Sequence, residues 1–200
     1  MVTRMAEVSR RNILGMLGAL GVMGVPALRH VAAQDATPTA EQTLGWSDEL
    51  IDDNGKLNVA TTVAPISSIA RNIGGDRIDL RGIVPDGTNS HTFEPAPSDA
   101  TTLAAADIIF VNGLDLELPT MELAAANLRD GAEIVALGEQ TITEDEYVFD
   151  FSFPREDGHP NPHLWTSPIY AKRYAEIIAE ALSARDPENA DYYAENLTRY

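Results

Sequence analysis

Between Lys56 and Ala184 the sequence alternates short runs of β-branched and aliphatic residues with segments whose apolar positions recur at helical spacing. No other feature restricts the fold as much. Leu57 to Val63 reads as a strand that ends at Pro65. Ile66, Ile69, Ala70 and Ile73 then share one helical face until Gly74-Gly75 stops the period. Ile78 to Val84 alternates as a second strand and closes at the turn signal Pro85-Asp86-Gly87. Ser98-Asp99 stands where a cap belongs for a helix over Ala100 to Ala106, and Asp107 to Val111 is a continuous buried-type strand. Pro119 opens a helix through Leu128, and Glu133 to Leu137 is a fourth strand. After an irregular stretch to Pro162, a helix runs from Pro168 to Ala184. The order βαβαβαβ predicts an α/β fold. Parallel neighbours need crossovers of about a dozen residues or more, so the sheet is four-stranded and parallel with helices on both faces. There is no internal repeat.

The first 33 residues read as an export signal rather than as part of this fold. Ser9, Arg10 and Arg11 precede the uncharged, Gly- and Leu-rich stretch Ile13 to Leu28, and Val31-Ala32-Ala33 supplies small residues for cleavage. The stretch is shorter than the roughly 18 to 20 residues of a comfortable membrane span, and Gly15, Gly18, Gly21 and Gly24 weaken it as a helix. The paired arginines with Leu14 resemble a twin-arginine signal; a general secretory signal containing a chance Arg pair reads the same residues. Both routes end outside the cytoplasm. Residues 34–56 are polar, without a sustained apolar period, and read as a solvated spacer with no packed core.

Charge and cysteine content narrow the function. The 200 residues carry 14 Lys+Arg against 31 Asp+Glu, a formal charge of −17, and 6% aromatic residues, which excludes the basic footprint and stacking platforms of a nucleic-acid binder. Anionic membrane is an equally poor partner. With no cysteine, disulfide scaffolds, thiolate zinc sites, thiol catalysis and acylation at cysteine are all closed, so any metal must use His and carboxylate.

In open parallel sheets ligands bind beyond the carboxyl ends of strands, which directs attention to two loops. Pro85 to Pro97 contains His91-Thr92-Phe93-Glu94-Pro95. His91 and Glu94 have the spacing of a helical metal pair, but Pro95 and Pro97 forbid that helix, so the loop is extended and presents one imidazole. Such a histidine is either a ligand or a hydrogen-bonded surface imidazole. The second loop, Gly138 to Pro162, is rich in Asp and Glu, contains His159, and leads into Asn161-Pro162-His163-Leu164-Trp165. Pro160 and Pro162 break any helix that would pair His159 with His163, so one of them, not both, is expected to be a ligand. Phe93 and Trp165 either pack beside the site or belong to the core. No nucleophile elbow, His-Glu-x-x-His helix or phosphate loop is present, so an enzyme is not expected.

Five strings in order carry a resemblance: VATTVAPISSIARNIGG (59–75), His91-Thr92-Phe93-Glu94-Pro95, ADIIFVNGLDLE (106–117), NPHLWTSP (161–168) and YYAENLTRY (192–200). Together they resemble the zinc/manganese substrate-binding proteins of ABC importers. That resemblance implies two α/β lobes joined by a long helix, with a metal in the cleft held by two His of the first lobe and a His or Glu plus an Asp or Glu of the second. Motif by motif, His91 and His163 correspond to the first-lobe ligands. Residues 57–186 would then be the N-terminal metal-binding lobe and 187–200 the start of the interdomain helix, with the second lobe missing. The implied role is extracytoplasmic capture of Zn2+, with Mn2+ the alternative, by a monomer that delivers the ion to an ABC permease in the membrane. A metal-dependent adhesion or interaction domain is the rival reading, and a metallohydrolase using Glu94 as base the weaker one. Only acidic residues and His159 occupy the region where zinc-binding relatives carry a His-rich insertion.

Overall fold

The computed structural model describes residues 49–200. The export-signal reading and the first part of the spacer, to residue 48, lie outside the described residues. Four strands form one wholly parallel sheet: β1 (Leu57–Thr61), β2 (Ile78–Gly82), β3 (Ile108–Val111) and β4 (Glu133–Ala136), in the order β2-β1-β3-β4. The chain winds outward from β1 to β2, then returns to the other side of β1 for β3 and β4. The winding therefore reverses between β1 and β3, which opens a crevice at their carboxyl ends.

Alternation along the strands sends side chains to two separate cores. Ile108 and Phe110 join Val59, Leu80 and Val135 on one face, while Ile109 and Val111 join Ala60 and Ala124 on the other. The first face is covered by α1 (Ala64–Gly74), α5 (Pro168–Arg185) and α6 (Ala190–Arg199), through Ile66, Ile73, Tyr174, Ile178 and Tyr193. The second is covered by α2 (Pro97–Ala105) and α3 (Leu118–Asn127), through Leu103 and Ala124. The fold class expected from the alternation, a four-stranded parallel sheet with helices on both faces, is the one observed. Helix α6 is tied down where Asn196 Nδ2 donates to the Ile73 carbonyl at 2.8 Å and Tyr193 Oη donates to Asp186 at 2.7 Å.

Element ends differ from the sequence reading for identifiable reasons. Strand β2 stops at Gly82, although Ile83 and Val84 still donate backbone hydrogen bonds to Thr61 and Thr62 as the chain peels away. Helix α2 begins at Pro97, whose fixed φ suits a first turn, so Ser98 and Asp99 lie inside the helix instead of capping it. Asp99 works from within, accepting from the Ala96 backbone N–H at 2.7 Å. Asp99→Ala is expected to cost about 1 kcal/mol, as loss of a helix cap does, seen as a lower urea midpoint with an unchanged slope. The stretch after β4 is not irregular throughout. A five-residue helix, α4 (Leu137–Thr141), follows directly because Leu137 and Ile142 both insert into the first core.

Residues 49–56 contain no helix or strand but are fastened to the sheet. Leu50 packs half-buried on the second core, and Asp52 accepts from Asn58 Nδ2 at 3.2 Å and from Arg129 at 2.8 Å. Among the described residues no helix is long and apolar enough to cross a membrane.

Candidate metal centre

Two histidines from the two sides of the sheet meet above its carboxyl edge. His91 follows β2 and lies in the short 3₁₀ turn Ser90–Thr92, whose start is held by Asn89: its side-chain oxygen accepts from the His91 backbone N–H at 3.0 Å. His163 comes from the far side, beyond β4 and α4, at the entry to the turn Leu164–Thr166. Leu164 anchors that turn in the core, and Thr166 Oγ1 donates to the His163 carbonyl at 2.8 Å. The result is a His91 Nε2 to His163 Nε2 separation of 3.1 Å.

Aromatic rings enclose the pair on its sides. Trp165 stands edge-on to His163 with ring centroids 5.1 Å apart and also packs against the first core, so both sequence readings of that residue describe it. Phe93 does not flank the histidines; it is wedged half-buried between the two cores. Beside the histidines stands Phe153, 5.7 Å from the His91 ring and 5.5 Å from that of His163. Phe153 was not legible because it lies in the acidic loop, where no periodicity points an aromatic inward. Burial and the neighbouring charge of His91 depress the His163 pKa below the ordinary imidazole value, opposed by the carboxylate of Asp150.

His159 takes no part in this contact. Its Nδ1 lies 2.9 Å from Asp115 Oδ2, and both residues line a cleft of about 260 Å³ that also reaches His91, Phe153 and Asp157. Among the described residues no group of three or more His, Asp or Glu is arranged to hold a metal ion. Glu94, the base of the hydrolase reading, is exposed, and no hydrogen bond joins it to either histidine among the described residues.

Beneath the histidines, the crevice between β1 and β3 holds a buried polar network. Glu117 is 3% exposed. Its Oε1 accepts from Thr62 Oγ1 at 2.6 Å and from the Asn112 backbone N–H at 2.5 Å, while Oε2 is buried without a partner. Burial raises the Glu117 pKa to about 7, its hydrogen bonds with Thr62 and with the backbone of Asn112, Gly113 and Glu117 only partly offsetting it. Asn112 passes the network on: its Nδ2 donates to the Pro162 carbonyl at 3.0 Å, and its Oδ1 accepts from Tyr174 Oη at 2.8 Å. The residue carrying the carbonyl is thus the immediate neighbour of His163. At Gly113, φ is +76° and a Cβ would run into the Glu139 carboxylate, so any other residue where the chain leaves β3 would be strained and would displace that carboxylate.

The architecture has solved counterparts among periplasmic metal-binding proteins. It matches the Mn-bound periplasmic metal binding protein from Candidatus Liberibacter asiaticus with a TM-score of 0.62 at 32% identity, over 71% of this chain and 50% of that one. The family model "Zinc-uptake complex component A periplasmic" (ZnuA) matches residues 59–200, and the chain belongs to this family. Relatives include the metal ABC transporter substrate-binding lipoprotein FimA of Streptococcus parasanguinis, 34% identical over 74% of this chain and 48% of the relative. The manganese ABC transporter substrate-binding lipoprotein PsaA of Streptococcus mitis is 34% identical over 72% of this chain and 47% of its own length. The chain spans about half the length of the curated relatives it matches.

Proposed function

We propose that this protein captures a divalent transition-metal ion outside the cytoplasm and hands it to an ABC permease, with His91 and His163 as ligands and zinc favoured over manganese. The observation that carries the reading is the approach of the two Nε2 atoms to 3.1 Å. Two nitrogens bound to one tetrahedral zinc at its usual bond length stand about 3.3 Å apart, so the pair already has nearly the bite the ion needs. Neutral imidazole is a borderline donor suited to zinc, whereas harder oxygen donors suit manganese. The names of the relatives span both metals: the family description names zinc and PsaA names manganese. Two imidazoles leave further coordination positions, which on this reading are filled by a second lobe across a cleft joined through the helix that starts near Ala190. The ion is cargo, so the grip must be reversible. Extracytoplasmic work agrees with the export-signal reading of residues 1–33, and a monomer suffices for it.

A calorimetric zinc titration at two pH values tests the assignment. Both imidazoles must be neutral to bind, so affinity is full above their pKa values and falls as protons compete. Because the His163 value is depressed, its protons compete only at lower pH than for a free imidazole. Affinity is expected to be flat near pH 7.5 and to drop steeply below about pH 6, approaching two decades per pH unit. Equal affinity at pH 7.5 and 5.5 would transfer the site to carboxylates.

A further inference from the structure

The facing Nε2 atoms of His91 and His163 cannot form a hydrogen bond if both donate or both accept, and the choice between them is made outside the pair. Asn161 precedes His163 by two residues. Its side-chain oxygen lies 3.0 Å from the His163 backbone nitrogen and 2.9 Å from His163 Nδ1. Its amide nitrogen lies 2.6 Å from Asp150 Oδ2. A carboxylate only accepts, so the Asn161 atom facing Asp150 is the NH₂. A backbone N–H only donates, so the atom facing the His163 backbone is the oxygen. Each end of the amide is therefore assigned independently, and the two assignments agree. An oxygen facing Nδ1 requires the imidazole hydrogen to be there.

We propose that Asn161, aligned by Asp150, is a positioning residue that sets the His163 tautomer, holding the hydrogen on Nδ1 so that Nε2 offers its lone pair toward His91 and an incoming cation. The use of that lone pair rests on the metal-capture reading; the tautomer does not. One consequence concerns His91. With His163 Nε2 fixed as the acceptor, the contact between the rings is a hydrogen bond from His91 Nε2–H. Among the described residues the His91 ring has no counterpart to Asn161, since Asn89 reaches only its backbone nitrogen. The His163 ring is pre-set, whereas no side chain among the described residues fixes the ring hydrogen of His91 in the same way.

Asp150 is itself immobilised. Its Oδ1 accepts from the backbone nitrogens of Ser152 at 2.8 Å and Phe153 at 3.1 Å, closing the tight turn that also lays the Phe153 ring against both imidazoles. One turn of the acidic loop thus aligns the amide and shields the rings it serves.

The test is a long-range ¹H–¹⁵N correlation spectrum of the ¹⁵N-labelled chain at pH 8 without added metal. The wild-type His163 ring should show a protonated Nδ1 and a bare Nε2. Asn161→Leu should move the hydrogen wholly or partly to Nε2 and lower zinc affinity by about 10- to 100-fold, the range seen when such orienting partners are lost. The double variant Asn161→Asp with Asp150→Asn exchanges carboxylate and amide while keeping an oxygen on Nδ1, and should restore the wild-type ring pattern. A wild-type His163 with its hydrogen on Nε2 overturns the proposal, and this measurement requires no variant. An Asn161→Leu protein that loses affinity with its tautomer unchanged overturns it too, leaving only a structural role. If the expected tautomers are found but millimolar zinc shifts the ring nitrogens of neither His91 nor His163, the positioning role stands and the metal-capture reading fails.

Discussion

Replacing His163 by alanine should lower zinc affinity at pH 7.5 by more than about 100-fold, to the edge of detection in a calorimetric titration. Loss of a group that merely orients a ligand costs about 10- to 100-fold, so loss of the ligand itself must exceed that range. His91→Ala should do the same, and the double variant should add little, because one imidazole without its partner no longer has a bite to offer. His159→Ala supplies the contrast. Its ring is exposed and paired with Asp115 at 2.9 Å, so zinc affinity should stay within about threefold of wild type. A loss as large for His159 as for His163 would move the site into the neighbouring cleft. Circular dichroism should remain unchanged throughout, because His91 is exposed and His163 lies at the rim of the core.

A second large effect is expected from Glu117, and it concerns stability. The folded protein holds this carboxyl with a pKa of about 7, against 4.5 for the accessible group. Between those values the folded state binds the proton more tightly than the unfolded one, so stability falls as pH rises. The full contribution is present below pH 4.5 and is gone above pH 7, amounting to about 3 kcal/mol. Other groups titrate in the same window, so the informative quantity is the difference between wild type and Glu117→Gln in urea midpoint from pH 4.5 to 8. The wild-type curve should decline relative to the variant. Their constant offset reports only how well the amide fits Thr62 and the orphaned Oε2 position. Parallel curves would show that Glu117 is hydrated or relaxed in solution and is not titrating near neutrality.

The sheet was readable above all in β3, an interior strand that burial on both faces leaves wholly apolar. Ile108 to Val111 is apolar at every position, and each of these residues is fully buried. Helices were readable where a proline opened them, as at Pro119 and Pro168, and less so at α2, where Pro97 outranks Ser98 and Asp99 as the starting signal. His91 and His163 are picked out by the family-like strings that carry them; the neighbouring prolines exclude helical pairing but leave His159 and His163 as alternatives. What brings them together was not legible. The approach of His91 to His163 spans 72 positions and depends on sheet order, while Phe153 and Asp150 act through a turn that has no sequence period. Asn112 and Glu117 were visible only within a family-like string. Their roles arise from the reversal of winding between β1 and β3, a property of three dimensions.

That reversal has a mechanical corollary. The two imidazoles come from chain that follows the outermost strands, one after β2 and the other beyond β4 and α4, so on the metal-capture reading an ion gripped between them would act as a clasp across all four strands. Cargo and scaffold then share one energy. A loaded molecule resists fraying at both margins at once, and surrendering its ion loosens the very frame that brought the jaws together.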